Sequence, residues 1–202
     1  LQIATRLKLP VTFRAAGTSL SGQAISDSIL IVAGKHWEDY EISPDASTVK
    51  LQPGIIGAQV NEYLKPYNRM FAPDPASKKS AMVGGIVINN ASGMNCGTHA
   101  NSDKILNSVR IVFADGTVLD TGDDRSRAVF ARLKPQFIDG IMKLRDEICA
   151  DEELVKRIKY KYSIKNVTGL NLLPFVTYRD PYEIIAHSMV GSEGTLAFLS
   201  EI

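Results

Sequence analysis

Val11-Thr12-Phe13-Arg14-Ala15-Ala16-Gly17-Thr18-Ser19-Leu20-Ser21-Gly22-Gln23 opens as a strand-like run and breaks into a loop of small residues. β-Branched and aromatic side chains favour the extended start, and the glycines and hydroxyl residues that follow favour turning. In such a loop the backbone can aim successive N–H groups at one anion, with hydroxyls as further donors. That is phosphate chemistry. Gly17 and Gly22 approach the glycine spacing of a P-loop, but Gln23 stands where the phosphate-binding lysine belongs and no Ser or Thr follows it, which disfavours an NTPase. The G-x-G-x-x-G spacing of a Rossmann dinucleotide site is also missing. Taken alone, the segment is equally an ordinary connection between two strands.

Two more small-residue stretches shift that balance. Val83-Gly84-Gly85-Ile86-Val87-Ile88-Asn89-Asn90-Ala91-Ser92-Gly93 sets an apolar strand or helix turn between two glycine-bearing ends, and Val190-Gly191-Ser192-Glu193-Gly194-Thr195-Leu196 leads into an apolar run. Both permit close backbone approach to a flat ligand. Three such loops exceed what connection requires.

Outward from these loops, short elements alternate. Strand-like runs are Val11 to Arg14, Ser28 to Val32, Thr48 to Gln52, Val109 to Ala114 and Thr195 to Leu199. Asp115-Gly116 between Val109-Arg110-Ile111-Val112-Phe113 and Thr117-Val118-Leu119 predicts a hairpin turning through positive φ, so part of the sheet is antiparallel. Helical spacing marks Ile55 to Leu64 and Phe137 to Ile148, with Pro135 separating the latter from a shorter helix over Arg127 to Leu133. Asp180-Pro181-Tyr182-Glu183 reads as a helix start, Asp180 as N-cap and Glu183 reaching back to the cap amide. The chain opens on Leu1 in what reads as a helix tail and closes on Ile202 after an apolar run, so both ends are expected to be cut. Without a uniform βαβ period, the expectation is an α+β domain of two lobes dividing near Pro73 to Ser80.

Composition excludes other classes. The 202 residues, 45% hydrophobic, suffice for one large domain or two small lobes, and a net charge of +1 gives no field for nucleic acid. No apolar run reaches the roughly 18 residues of a bilayer span. Cys96 and Cys149 form no disulfide framework, which suits a reducing compartment, and cytoplasm is the default. Cys96 and His99 make a C-x-x-H spacing with no second ligand pair, so no metal is expected. His36 and His187 read as ordinary surface or helix-face residues, and Lys156 to Tyr162 as the solvated face of a helix.

The order of motifs resembles the PCMH-type FAD-binding domain of the vanillyl-alcohol-oxidase kind, and within it the D-lactate dehydrogenase, glycolate oxidase subunit and D-2-hydroxyglutarate dehydrogenase group. Gly97-Thr98 matches the family's Tyr-Gly-Thr, Asp115-Gly116 its Ala-Asp-Gly hairpin, and Gly191 to Leu196 its Gly-Ser-Glu-Gly-Thr-Leu; Cys96 departs where an aromatic is usual, and His99 falls where the family's loop is rich in Thr or Arg. The likeness runs from about Val11 to Ile202. It implies a small parallel-sheet lobe (about 1–75) and a larger mixed or antiparallel one (about 76–202), with FAD extended between them. Arg14, Ala15, Ala16, Gly17, Thr18, Ser19 and Leu20 would hold the pyrophosphate. Pro73, Asp74, Ser77, Val83, Gly84, Gly85, Asn89, Ser92, Gly93, Gly97, Thr98, Glu193 and Gly194 would line the remainder. Thr18 stands where covalent members commonly have His, implying non-covalent flavin. Lys165-Asn166-Val167-Thr168-Gly169-Leu170-Asn171-Leu172-Leu173 resembles the large bacterial members, which carry an iron–sulfur domain after the flavin part.

The resemblance further implies hydride removal from a D-2-hydroxy acid. The base and carboxylate-binding groups would lie in a substrate domain after Ile202, so no residue here is assigned as catalytic. The electron acceptor stays open, and the full enzyme could sit peripherally on the inner membrane face. Other flavoenzymes of the domain type, the enolpyruvyl reductases and molybdenum-hydroxylase flavin subunits, remain alternatives, as does a non-catalytic nucleotide-binding module.

Overall fold

A computed structural model describes residues 1–93, 96–166 and 169–202. After a short helix α1 (Gln2–Arg6), strands β1 (Val11–Arg14) and β2 (Ile29–Val32) pair in parallel, Val11 opposite Ile29 and Arg14 opposite Val32. Parallel neighbours need a crossover of about a dozen or more residues. Here the crossover is the glycine-rich loop itself, which therefore leaves from the carboxyl end of β1, where open α/β sheets place their ligands.

β3 (Tyr40–Ile42) and β4 (Val49–Leu51) form an antiparallel hairpin, followed by α2 (Gly57–Leu64) and a 3-10 turn over Lys65–Tyr67. β3 carries too few residues to show alternation in the sequence; Tyr40 is fixed instead by stacking on Tyr63 of α2 at 4.0 Å. The segment from Val83 is a helix, α3 (Val83–Ile88), not a strand. α4 (Ser102–Ile105) leads to β5 (Arg110–Val112) and β6 (Val118–Asp120), and β7 (Phe198–Glu201) completes an antiparallel sheet in the order β6-β5-β7. The β5–β6 hairpin turns through Gly116 at φ +82°, with the Thr117 amide donating to Asp115 Oδ1 at 2.9 Å.

β7 begins three residues later than the sequence suggests. The Thr195 amide and hydroxyl both donate to the Ser192 carbonyl, at 3.0 and 2.7 Å, which holds that part of the run in a turn.

The remaining helices are α5 (Asp124–Leu133), α6 (Pro135–Ala150), α7 (Glu152–Lys161), α8 (Leu173–Thr177) and α9 (Pro181–Ser188). Pro135 sits in the first turn of α6 and splits it from α5, as expected. Asp180 caps α9 by accepting from the Tyr182 amide at 3.0 Å, but Glu183 does not reach back to the cap; its carboxylate lies 3.7 Å from His187 Nε2 one turn on. α7 and α8 enclose Ile148, Ile158, Phe175 and Ile184 in a small core of their own with α6 and α9.

A larger core joins both sides of the anticipated lobe division. Leu51, Ile55 and Val60 pack in one buried cluster with Ile86, Ile111, Phe130, Ile185 and Leu199. Backbone bonds reinforce this, Leu51 and Ile202 exchanging N–H···O pairs at 2.8 and 2.9 Å. The β1–β2 pair is a separate two-stranded sheet, with Ile29, Leu30 and Val32 exposed. Among the described residues no helix is long and apolar enough to cross a membrane, and no group of three or more His, Cys, Asp or Glu is placed to hold a metal ion.

Candidate cofactor site

The carboxyl end of β1, the start of α3 and the turn before β7 meet around a cleft of about 250 Å³. All three glycine-bearing loops contribute to it: Arg14 to Ser19 from the first, Gly84, Gly85 and Asn89 from the second, Glu193 and Gly194 from the third. Ser77 joins them from the Pro-Asp-Pro-Ala-Ser stretch.

The first loop leaves its donors free. Among the described residues, no amide from Ala15 to Leu20 gives its hydrogen to a protein acceptor; Ser19 Oγ donates to Gln23 Oε1 at 2.7 Å and receives the Ser21 amide at 3.4 Å. Gly17 adopts φ +68°, and a Cβ there would meet the Arg14 guanidinium at 2.5 Å, so Arg14 folds back over its own loop. Arg14 makes no ion pair with a carboxylate among the described residues. A cation and a row of uncommitted amides on one turn is an arrangement that binds anions.

The second loop works by absence of bulk. A Cβ at Gly84 would strike Pro53 Cβ at 2.6 Å, and one at Gly85 would rest 3.6 Å from Ala15 Cβ, so α3 packs closely against the first loop. Its first amides are already used: Val83 donates to the Ile55 carbonyl at 2.7 Å and Gly84 to the Pro53 carbonyl at 3.0 Å. α3 therefore shapes the wall, and among the described residues the uncommitted amides facing the cleft are that of Gly85 and the longer row of the Ala15 to Leu20 turn. The third loop is pinned to the end of α3, where the Ile88 carbonyl accepts from the amides of Gly191 (2.8 Å) and Glu193 (3.1 Å).

Eight of the anticipated site residues lie off this cleft. Leu20 is fully exposed and Val83 fully buried. Pro73, Asp74, Ser92, Gly93, Gly97 and Thr98 form a neighbouring knot. Asp74 is paired with Lys78 at 3.2 Å, and a Cβ on Gly93 would fall 1.7 Å from the Asp74 carbonyl oxygen. Cys96 Sγ accepts from the Gly93 amide at 3.2 Å and lies 3.3 Å from Asn101 Oδ1, while Lys165 Nζ reaches the Gly93 carbonyl at 3.1 Å. Cys96 thus holds Gly93 and lies beside Asn101 through its thiol. Ser92 Oγ is buried with no hydrogen-bond partner among the described residues. Of the Lys165 to Leu173 motif, Val167 and Thr168 lie outside the described residues.

Sequence reading missed several walls: Phe13, Ala33, Pro53, Met82, Ile88, Ala91 and Phe198. Their only sequence signal was apolarity, which they share with every core residue. His187 lies on a helix face, one of the two expected settings, and there it is buried on α9 and stacked on Tyr178 at 4.5 Å, with its imidazole pushed below its ordinary value by burial against the opposing pull of Glu183 and Asp103.

Comparison with known proteins places this geometry. The family described as FAD binding domain matches residues 1–122. D-2-hydroxyglutarate dehydrogenase of Escherichia coli K12 is 28% identical over 94% of this chain and 19% of its own length. Glycolate oxidase subunit GlcD of the same strain is 32% identical over 61% of the chain and 25% of its own length. A solved structure of alkyldihydroxyacetonephosphate synthase shares the fold with a TM-score of 0.57 at 15% identity, covering 99% of the chain and 28% of the other. The chain thus spans about a fifth to a quarter of the length of these curated relatives.

Proposed function

Because the chain belongs to the FAD-binding domain family, we propose that it is the cofactor cradle of an enzyme oxidising a D-2-hydroxy acid of the lactate, glycolate or 2-hydroxyglutarate class. The observation that carries this reading is the convergence of three glycine-bearing loops on one cleft, one of them presenting amides with no protein acceptor. The residues fit the group. The pyrophosphate would be held by the amides of Ala15 to Leu20 with Arg14 as counter-charge, and Gly84 and Gly85 admit a flat ligand against α3. FAD, when bound, supplies hydride acceptance at N5.

The cleft is smaller than the roughly 300 to 1,000 Å³ of a site that encloses a whole ligand. It suits the phosphates and their neighbours, with the ring extending toward Ser77, Ser92, Gly93 and the Gly97-Thr98 turn. Ser92 Oγ is a buried hydroxyl available to a polar edge of that ring. The division into lobes of about 1–75 and 76–202 would then follow the line of the cofactor. The substrate, its proton-accepting base and the electron acceptor belong to the remainder of a longer enzyme, and an iron–sulfur domain there would match the large bacterial members.

The test is uptake of FAD. The purified chain, incubated with FAD and desalted, should retain a flavin spectrum with a structured band near 450 nm, about one flavin per chain in a tight complex. Flavin that elutes entirely free would sink the reading. The D-2-hydroxyglutarate dehydrogenase likeness extends over most of the chain, so the longer enzyme is to be assayed first with that acid and D-lactate.

A further inference from the structure

A cavity of about 440 Å³ lies across α3 from the cofactor cleft: Val87 lines the cavity, whereas Gly84, Gly85 and Ile88 line the cleft. Its walls are apolar, with Leu51, Leu64, Phe71 and Val87 buried and Met70 and Ile105 exposed at the rim. The volume falls within the roughly 300 to 1,000 Å³ of small-molecule sites. Two polar groups here serve nothing within the chain. Ser102, which lines the cavity, is 2% exposed, and its buried hydroxyl has no hydrogen-bond partner among the described residues. A hydroxyl withdrawn from water without a partner is costly, and native chains rarely keep one idle. Arg69 stands exposed at the rim with no ion pair or side-chain hydrogen bond among the described residues, while the other lining cation, Lys50, lies 3.8 Å from Glu201. No Asp or Glu lines the cavity among the described residues. The Arg69 segment is held in place: Asn68 turns at φ +55°, the Arg69 amide donates to the Leu64 carbonyl at 3.3 Å, and the Phe71 amide donates to Asn61 Oδ1 at 2.8 Å.

Apolar walls, a free cation at the rim and an idle hydroxyl at the buried wall define the ligand that complements them. Burial of an apolar body supplies binding, a guanidinium takes a carboxylate with paired donors, and the hydroxyl takes a second oxygen. A cationic ligand would meet like charge and no carboxylate. Independently of the FAD reading, we propose that this cavity is a second binding site, for a small carboxylate of apolar body. The carboxylate pairs with Arg69, and an oxygen at the other end of the ligand hydrogen-bonds to Ser102.

Calorimetric titration of p-hydroxyphenylacetate into the wild-type chain, Arg69→Gln, Ser102→Ala and Arg14→Gln tests this, alongside phenylacetate and the neutral alcohol tyrosol, each of which lacks one polar end. Arg69→Gln should weaken p-hydroxyphenylacetate about tenfold or more and leave tyrosol unchanged. Ser102→Ala should weaken it about threefold or more and leave phenylacetate unchanged. The melting temperature of Ser102→Ala should hold or rise, because the idle hydroxyl is gone. Arg14→Gln should bind all three ligands as wild type does. Unchanged p-hydroxyphenylacetate affinity in Arg69→Gln or Ser102→Ala overturns the inference, as does an equal loss for all three ligands in either variant. Weakening by Arg14→Gln overturns it by moving the anion to the cofactor cleft. A folded wild-type chain that shows no saturable binding at millimolar concentration overturns it as well.

Discussion

Phe13 of β1 lies stacked on Phe198 of β7, their ring centroids 4.2 Å apart, and Trp37 meets Phe198 edge-on at 5.1 Å. This contact seats the parallel pair against the antiparallel sheet, and both phenylalanines also wall the cleft. Packing and binding are therefore coupled at one position. Phe198→Ala should destabilise the chain by about 3–5 kcal/mol, the usual cost of emptying a buried phenylalanine site, and weaken FAD as the first loop loses its seat. Urea unfolding measures the first effect and flavin titration the second. A variant as stable as wild type would show that the β1–β2 pair is anchored elsewhere.

Gly17 supports a second expectation. Its φ of +68° is strained for any side chain, and a branched Cβ would also displace the Arg14 guanidinium. Gly17→Val should lower FAD affinity at least tenfold, while the melting temperature moves little because the loop is exposed and outside the core. Unchanged affinity in a folded Gly17→Val chain would remove the first loop from the pyrophosphate.

The contrast between these two positions shows what the sequence displays and what it hides. Gly17 is legible because glycine among small polar residues has few other reasons to be there. Phe198 is silent: an aromatic in an apolar run reads as core, and its pairing with Phe13 across 185 positions is a tertiary fact with no local signature. The same logic explains the elements. Asp180-Pro181 and Asp115-Gly116 announce themselves by local chemistry, and both are found. β3 and the start of β7 depend on distant partners, Leu51 for Tyr40 and Ile111 for Leu199, so one was missed and the other displaced. The reading of the first loop as an anion site rests on the two other small-residue stretches beside it, all of them visible in the sequence, whereas Pro53 under Gly84 needed the fold.

Thr18 lines the cleft in the first loop, where a covalent flavin would require a nucleophilic ring nitrogen. A threonine hydroxyl is a poor nucleophile without an adjacent base, and the cleft contains no histidine among its lining residues. The flavin should accordingly be released by acid precipitation, leaving a colourless pellet. Yellow protein that survives washing would show a covalent bond.

The chain alone should not oxidise a 2-hydroxy acid even when loaded with FAD. Proton removal needs a base within hydrogen-bond reach of the substrate hydroxyl, and the cleft offers only Glu193 as a titratable anion and Arg14 as a cation, with no second arginine to clamp a carboxylate. Anaerobic mixing with D-lactate or D-2-hydroxyglutarate should leave the flavin absorbance intact. Saturable bleaching would locate the base within these residues.

His187 provides the pH dependence. It is buried on α9 between Tyr178, Glu183 and the Asp103 segment, with Lys104 near, and burial lowers its pKa from 6.5. Since the unfolded chain titrates near 6.5 and the folded chain lower, the unfolded state alone binds a proton as pH falls through the interval between them. Stability is therefore full above 6.5 and declines below it, by at most about 1.4 kcal/mol per pH unit, until the folded imidazole also protonates. His187→Phe keeps the stacking on Tyr178 and removes the titration. Urea midpoints measured between pH 7.5 and 5.5 should fall for the wild type and stay level for His187→Phe; parallel slopes in the two proteins would assign the acid sensitivity to other groups.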